Sequence, residues 1–178
     1  MTQTTELHCA CGQVHLSAVR APIINVECCC TSCRTAGGRL QTLPGAPRIV
    51  EPNGTTSFVL YRKDRIQFKK GLSLLKEFRL TPKSKTRRIV TSCCNTPLFA
   101  EFQNGHWLSL YGNLWPKDTR PPPEMRTMTI DLPAGTELPN DIPNAKRQNL
   151  AFFVKLLSAW VAMGFRSPKI NVNGGIDV

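Results

Sequence analysis

The chain has little that would carry it into or across a membrane. Its longest apolar stretch, around Leu150 to Phe165, is interrupted by Lys155 and Ser158 and is too short and too polar to span a bilayer. The first residues, MTQTTELHCACG, lack the charged-then-apolar build of a secretory signal. Together these absences place the expected protein in the cytoplasm. Acidic side chains are scarce, 12 against 23 Lys and Arg, so the net charge is +11. There are only three histidines, His8, His15 and His106, and their settings mark them as surface or packing residues, so no general acid or base stands out. Aromatics make up 7% of residues and are thin around the basic segments, which argues against a stacking platform for single-stranded nucleic acid. No internal repeat is visible, and cysteine is absent outside three short clusters.

What is present suits a folded chain. A length of 178 residues fits one domain with room for a real core, and an apolar content of 41% is ordinary for a globular protein. The positive charge gathers in Arg62 to Lys70 and Lys76 to Arg88. Such segments serve either as a solvated basic face or as a seat for an anionic partner, nucleic acid or a small polyanion, and charge by itself does not choose between them.

The texture predicts a mainly β fold of small twisted sheets with one C-terminal helix. Short β-branched and aromatic runs at Ile23 to Val26, Thr56 to Tyr61, Ile66 to Phe68, Leu74 to Leu80 and Thr86 to Thr91 read as strands. Phe99 to Phe102 and His106 to Tyr111 flank Gln103-Asn104-Gly105, a hairpin signal because Asn-Gly tolerates positive φ. Gly37-Gly38, Pro44-Gly45 and Pro47 mark turns. Pro121-Pro122-Pro123 ends the dense strand region, with Thr127 to Leu132 as a last edge strand. Apolar residues recur at helical spacing only in 145–165. The expected organisation is a β domain over 1–135 and an extension over 136–178, whose tail from Arg166 is expected to be poorly ordered.

The cysteines carry the chemistry. They are Cys9 and Cys11, then Cys28, Cys29, Cys30 and Cys33, then Cys93 and Cys94. In an exported chain eight cysteines would suit a disulfide framework, but in a reducing cytosol metal binding or thiol chemistry is the better reading. Zinc is a borderline-soft ion that favours thiolates, and its structural sites take four ligands tetrahedrally. Cys28, Cys30 and Cys33 offer three ligands from one loop and leave a fourth position open. Cys9 and Cys11 could meet Cys93 and Cys94 in a four-thiolate knot. Adjacent residues of a strand point to opposite faces, so Cys93 and Cys94 can share an ion only within a turn or bulge. Ser32 and Thr31 read as turn formers, and Trp107, Tyr111 and Trp115 as core or pocket wall.

Three motifs carry a resemblance. Cys9-x-Cys11-Gly12, then Cys28-x-Cys30-x-x-Cys33-Arg34 with Gly37 downstream, then Cys94-x-Thr96-Pro97-Leu98 together resemble the glutathione-dependent formaldehyde-activating enzyme family, which also holds centromere-protein-V-like proteins. The Arg79 to Lys83 stretch is similar to an uncharacterised bacterial branch. The resemblance covers about Leu7 to Tyr111. It implies sheets around a structural zinc on Cys9, Cys11 and Cys94, and a second zinc on Cys28, Cys30 and Cys33 near a glutathione site. It also implies carbon–sulfur lyase chemistry that joins formaldehyde to the glutathione thiol. Two departures stand out: the first cysteine of the family's third motif is Thr91 here, and its glycine is Asn95. Cys93 is taken as the replacement ligand, and Cys29, where the family often has histidine, as a non-ligand. Arg34 either pairs with substrate carboxylates or is a solvated surface charge.

Two rival readings remain. One is a non-enzymatic, zinc-stabilised module that binds an anionic partner through the basic segments and docks by its C-terminal helix. The other is a thiol-redox protein using Cys28 to Cys33, set aside because such motifs sit at a helix start within a βαβ unit and no such unit is legible here.

Overall fold

The computed structural model of the chain describes residues 3–116, 118–172 and 174–178. Its ten strands form two sheets. Strands β1 (Thr4–His8), β2 (His15–Val19) and β5 (Ile66–Lys70) make a small antiparallel sheet in the order β1-β2-β5. The larger sheet contains β3 (Ile24–Cys28), β4 (Thr56–Arg62), β6 (Leu75–Phe78), β7 (Thr86–Thr91), β8 (Pro97–Phe102), β9 (Trp107–Tyr111) and β10 (Met125–Thr127). Its order is β10-β3-β4-β9-β8-β7-β6, antiparallel throughout except that β10 lies parallel to β3. Two α-helices complete the fold, α1 (Thr31–Leu40) and α2 (Leu150–Val161).

The period of two along each strand divides the large sheet into two buried faces. Val59, Ile89, Phe99 and Leu110 point to one side and pack with Leu7 and Leu16 of the small sheet. Phe58, Leu60 and Val90 point to the other, where Ala36 and Leu40 of α1 and Phe152 and Leu156 of α2 cover them. The large sheet is therefore a middle layer, with strands on one face and helices on the other.

The expected hairpin is present. Asn104 adopts φ 62, and β8 and β9 pair antiparallel. Helix α2 starts at Asn149, whose side chain accepts a hydrogen bond from the Phe152 N–H at 3.0 Å, so the regular helix begins later than the periodicity placed it. Gly71 takes φ 77 between β5 and β6, and a Cβ there would meet the Gln13 carbonyl oxygen at 2.6 Å.

Three expectations are corrected. Helix α1 occupies a segment read as loop and turn. Its two glycines hide its helicity, but Cys30 caps it and Ala36 and Leu40 are fully buried. Gly37 is required because a Cβ would collide with the Val50 side chain. The last strand is Met125–Thr127 and not Thr127 to Leu132: Met128 turns into the left-handed region at φ 59, and a 3-10 turn follows. The tail is tied down where a loose end was expected. The Glu77 N–H donates to the Gly174 carbonyl, and the Ile176 N–H donates back to that of Glu77. Ile170 and Ile176 pack on the two cores, so apolar burial and edge pairing with β6 hold a segment expected to be poorly ordered. Among the described residues no helix is long and apolar enough to cross a membrane.

The layer arrangement makes a stability prediction. Leu108 is fully buried between the sheets, whereas Leu150 is 78% exposed on α2. Leu108→Ala is expected to destabilise the chain by about 3 kcal/mol and Leu150→Ala by under about 0.5 kcal/mol. Urea denaturation at fixed metal concentration checks this, and equal costs would contradict the layering.

Candidate metal centres and the adjoining pocket

The first cysteine set is assembled from two loops. Cys9 and Cys11 lie in the turn between β1 and β2, and Cys93 and Cys94 in the turn between β7 and β8. The β7–β8 turn resolves the problem of adjacent cysteines. Beyond Thr91 the chain leaves the ladder, and Asn95, at φ 54 in the conformation that a glycine would also serve, closes the turn with its N–H on the Thr91 carbonyl. Both sulfurs therefore turn to the same side.

The sulfur separations are 3.6 Å for Cys9–Cys11, 3.8 Å for Cys9–Cys93, 3.4 Å for Cys11–Cys93 and 3.8 Å for Cys93–Cys94. Four thiolates held tetrahedrally at the usual zinc–sulfur distance stand about 3.8 Å apart, so the set fits such an ion closely. The surrounding groups are arranged to receive negative sulfur. The Val14 N–H donates to Cys9 Sγ at 3.3 Å, and the hydroxyls of Thr91 and Thr96 lie 3.4 and 3.1 Å from Cys94 Sγ. Thr91 thus steadies the neighbouring Cys94 sulfur, and Cys93 is the fourth thiol of the set.

The second set sits at a strand–helix junction. Cys28 ends β3, Cys30 is the N-cap of α1, and Cys33 lies in its first turn. One ligand atom from each lies within 4.8 Å of the others. Cys30 Sγ accepts the Cys33 N–H at 3.3 Å, the hydrogen bond expected of a capping side chain. Cys29 points away, fully buried, and takes no part. The helix start is a feature that the thiol-redox reading was said to lack. Topology still separates the two, because β4 returns antiparallel to β3 and no βαβ unit forms.

Both sets are thiol clusters that call for a cation. Hydrogen bonding from Cys28 and Cys33, aided by the Arg88 charge, pulls Cys30 down to about 3, while its thiolate pushes Cys28 up to about 12 and Cys33 up as well. Around the other ion position, burial raises Cys94, but the hydrogen bonds of Thr91 and Thr96 prevail and bring it to about 5; burial and the Cys11 sulfur push Cys93 to about 12. One thiolate in each set resists ionisation of its neighbours, and a bound cation is what would relieve that repulsion.

The three-cysteine set opens on a pocket of about 420 Å³. Its floor is the helix-facing side of the large sheet, and Phe152, Phe153 and Leu156 of α2 form its roof. Arg88 of β7 is 1% exposed and also lines it. Its Nη2 donates to the Ser32 hydroxyl at 2.8 Å and to the Ser32 carbonyl at 3.1 Å. Sequence reasoning missed both Arg88 and the roof. Strand parity already placed Arg88 on the face of Val90, but nothing in the sequence said that a helix 60 residues away would cover it.

Arg34, considered for substrate carboxylates, is otherwise engaged. Its Nη1 donates to the Cys29 carbonyl at 2.5 Å and its Nη2 to that of Asp131 at 2.6 Å, which pins the cysteine loop to the turn after β10. The histidines stay outside both sets. His106 is buried, stacks on Trp160, and contacts the Leu156 carbonyl through Nε2 at 2.8 Å.

No known protein family matches the chain, and no curated protein matches it in sequence. Among solved structures, a Rhodobacter sphaeroides protein determined as a structural-genomics target aligns with 69% of this chain and 100% of its own. The identity is 13% and the TM-score 0.45, and nothing about the site rests on that likeness. The comparisons do not confirm the formaldehyde-activating family, whose resemblance rests on the cysteine motifs. What the geometry does establish is two cysteine sets able to hold a metal ion, consistent with zinc.

Two outcomes follow. Cys93→Ser is expected to lower bound zinc by about one ion per chain and Cys29→Ala to leave it unchanged, as read by elemental analysis. Cys28 and Cys93, pushed up to about 12, carry protons at neutral pH that a metal must displace. Zinc loading at pH 7 should therefore release protons into weak buffer, and apparent affinity should rise with pH between about 5 and 8. Affinity that is flat with pH would contradict thiolate ligation.

Proposed function

We propose that this is a zinc protein with one structural and one reactive site. Cys9, Cys11, Cys93 and Cys94 hold the structural ion and tie the small sheet to the large one. Cys28, Cys30 and Cys33 hold a second ion whose remaining position faces the pocket. The observation that carries the reading is the difference between the sets: four sulfurs close the first, while three sulfurs border a pocket at the second.

The reaction proposed for that site is addition of a thiol to an aldehyde carbon, the chemistry that the family resemblance implies for glutathione and formaldehyde. The sulfur electron pair forms the new C–S bond, the carbonyl π pair moves to oxygen, and the thiol proton ends on that oxygen. Zinc bound there would supply Lewis acidity and a lowered thiol pKa. The chain's own residues would do the rest. Cys30, capping α1, holds the loop in register, and the phenylalanines of α2 exclude water from the reacting sulfur. A reducing compartment such as the cytoplasm suits eight free thiols.

The alternative of a basic docking surface loses part of its charge to internal ion pairs. Arg62 pairs with Asp64, Lys63 with Glu101, Arg79 with Glu77, and Arg87 with both Glu77 and Glu101. Three carboxylates thus balance four of the basic side chains of the two segments within the fold.

Magnetisation exchange between glutathione and its hydroxymethyl adduct tests the reaction. The zinc-loaded chain should speed it, and Cys30→Ser should abolish the gain while zinc stays in the first set. No acceleration by fully loaded protein would overturn the enzymatic reading.

A further inference from the structure

Helix α2 carries more apolar surface than the fold uses. Phe152, Leu156 and Ala159 form its buried side. Leu150, Phe153, Val154, Leu157 and Val161 recur at i, i+3, i+4, i+7 and i+11, which gathers them on a second stripe, and each is more than half exposed. Phe165 extends the exposed apolar run past the helix end. Within the helix only Lys155 and Ser158 are polar. A convex apolar stripe left in water is costly and marks a contact surface. The stripe also reaches the pocket, because Phe153 lines that cavity together with Phe102, itself 46% exposed.

The charge around the stripe has one sign. From Ile142 to Ile176 the sequence holds Lys146, Arg147, Lys155, Arg166 and Lys169 and no acidic residue. Lys155 pairs with Glu124 across the helix from the stripe. The other four are exposed, two before the helix and two after it, and none enters an ion pair among the described residues. Asp64, near the far end of α2, is taken by Arg62, whose Nη2 also donates to the Ala162 carbonyl at 3.1 Å. A second copy of the chain is a poor cover for this face. Helix α2 against its own image, parallel or antiparallel, sets these four cations against the same four cations. An anionic lipid surface answers both features, since acyl chains receive the stripe and headgroups receive the cations.

We propose that α2 docks the chain on an anionic phospholipid bilayer, with Leu150, Val154, Leu157 and Val161 in the interface and Lys146, Arg147, Arg166 and Lys169 among the headgroups. The helix has 12 residues, too few to cross the bilayer, and lies along its surface. Apolar burial and headgroup attraction each supply part of the binding, so both are needed for a stable contact. The assignment does not rest on the proposed reaction. Docking in this way sets the pocket beside the bilayer, because Phe153 belongs to both the stripe and the pocket lining.

The test floats the full zinc-loaded chain with vesicles of phosphatidylcholine, and with vesicles in which about one-third of the lipid is phosphatidylglycerol. The anionic vesicles should bind it about tenfold or more tightly, and added salt should weaken that binding. Leu150→Ser with Leu157→Ser, and separately Arg147→Gln with Arg166→Gln, should each weaken it about tenfold at unchanged zinc content. Lys69→Gln with Lys70→Gln, on β5 in the opposite layer, should leave it unchanged. All six positions are exposed, and the lipid comparison on the wild type needs no variant. Equal binding to the two vesicle types, or binding to neither, overturns the proposal. So does anionic binding that the leucine variant retains in full, which would reduce it to adsorption by net charge. An equal loss in the Lys69 and Lys70 variant does the same. A dimer in sedimentation that the leucine variant dissolves, with no vesicle binding, gives the stripe to a second copy and overturns the lipid assignment.

Discussion

The fold depends on one long-range tie. The turn after β1 and the turn after β7 lie more than 80 residues apart, yet Cys9 and Cys93 stand 3.8 Å from each other. These turns belong to different sheets, so the sulfur quartet sits at the seam between the layers. Short strands pair weakly, and a metal ion held by these four thiols would cross-link their ends and remove much of the freedom of the unfolded chain. Thr91 and Thr96 reinforce the seam. Thr96 accepts the Ala10 N–H at 3.0 Å through Oγ1 and donates its own N–H to Thr91 Oγ1 at 3.1 Å. The hydroxyl network thus joins the same two turns as the sulfurs.

The second cysteine set has a different mechanical role. It joins no distant segments, being contained in six residues at one strand–helix junction. Arg34 and the Asp131 carbonyl fix that junction from outside, and Arg88 with Ser32 fixes it from the sheet side. A rigid loop that opens on a lined cavity suits chemistry better than cross-linking. This contrast separates the two sets more clearly than their ligand counts alone.

Much of the β architecture was legible in the sequence. Period-two alternation and the Asn104-Gly105 turn located strands β3 to β9 to within a few residues. The grouping of the cysteines also survived into three dimensions, with Cys93 among the four thiols that converge. Helix α1 was not legible because Gly37 and Gly38 lower its propensity, and tertiary burial of Ala36 and Leu40 overrides that. The ordered tail was missed for the same kind of reason, since its partner is an open sheet edge that no local pattern announces.

By itself the sequence determined residue types and their local spacing: which thiols fall within reach of one ion, which runs alternate, and where a left-handed residue closes a turn. Those properties act over a few bonds and are read from neighbours along the chain. Only the tertiary structure decided that Arg88 lies beneath α2, that Arg34 is occupied by backbone carbonyls, and that Arg62, Lys63, Arg79 and Arg87 of the basic segments pair with carboxylates. Each of those facts depends on residues brought together from far apart, where desolvation and charge pairing are set by the packed layers and not by sequence distance.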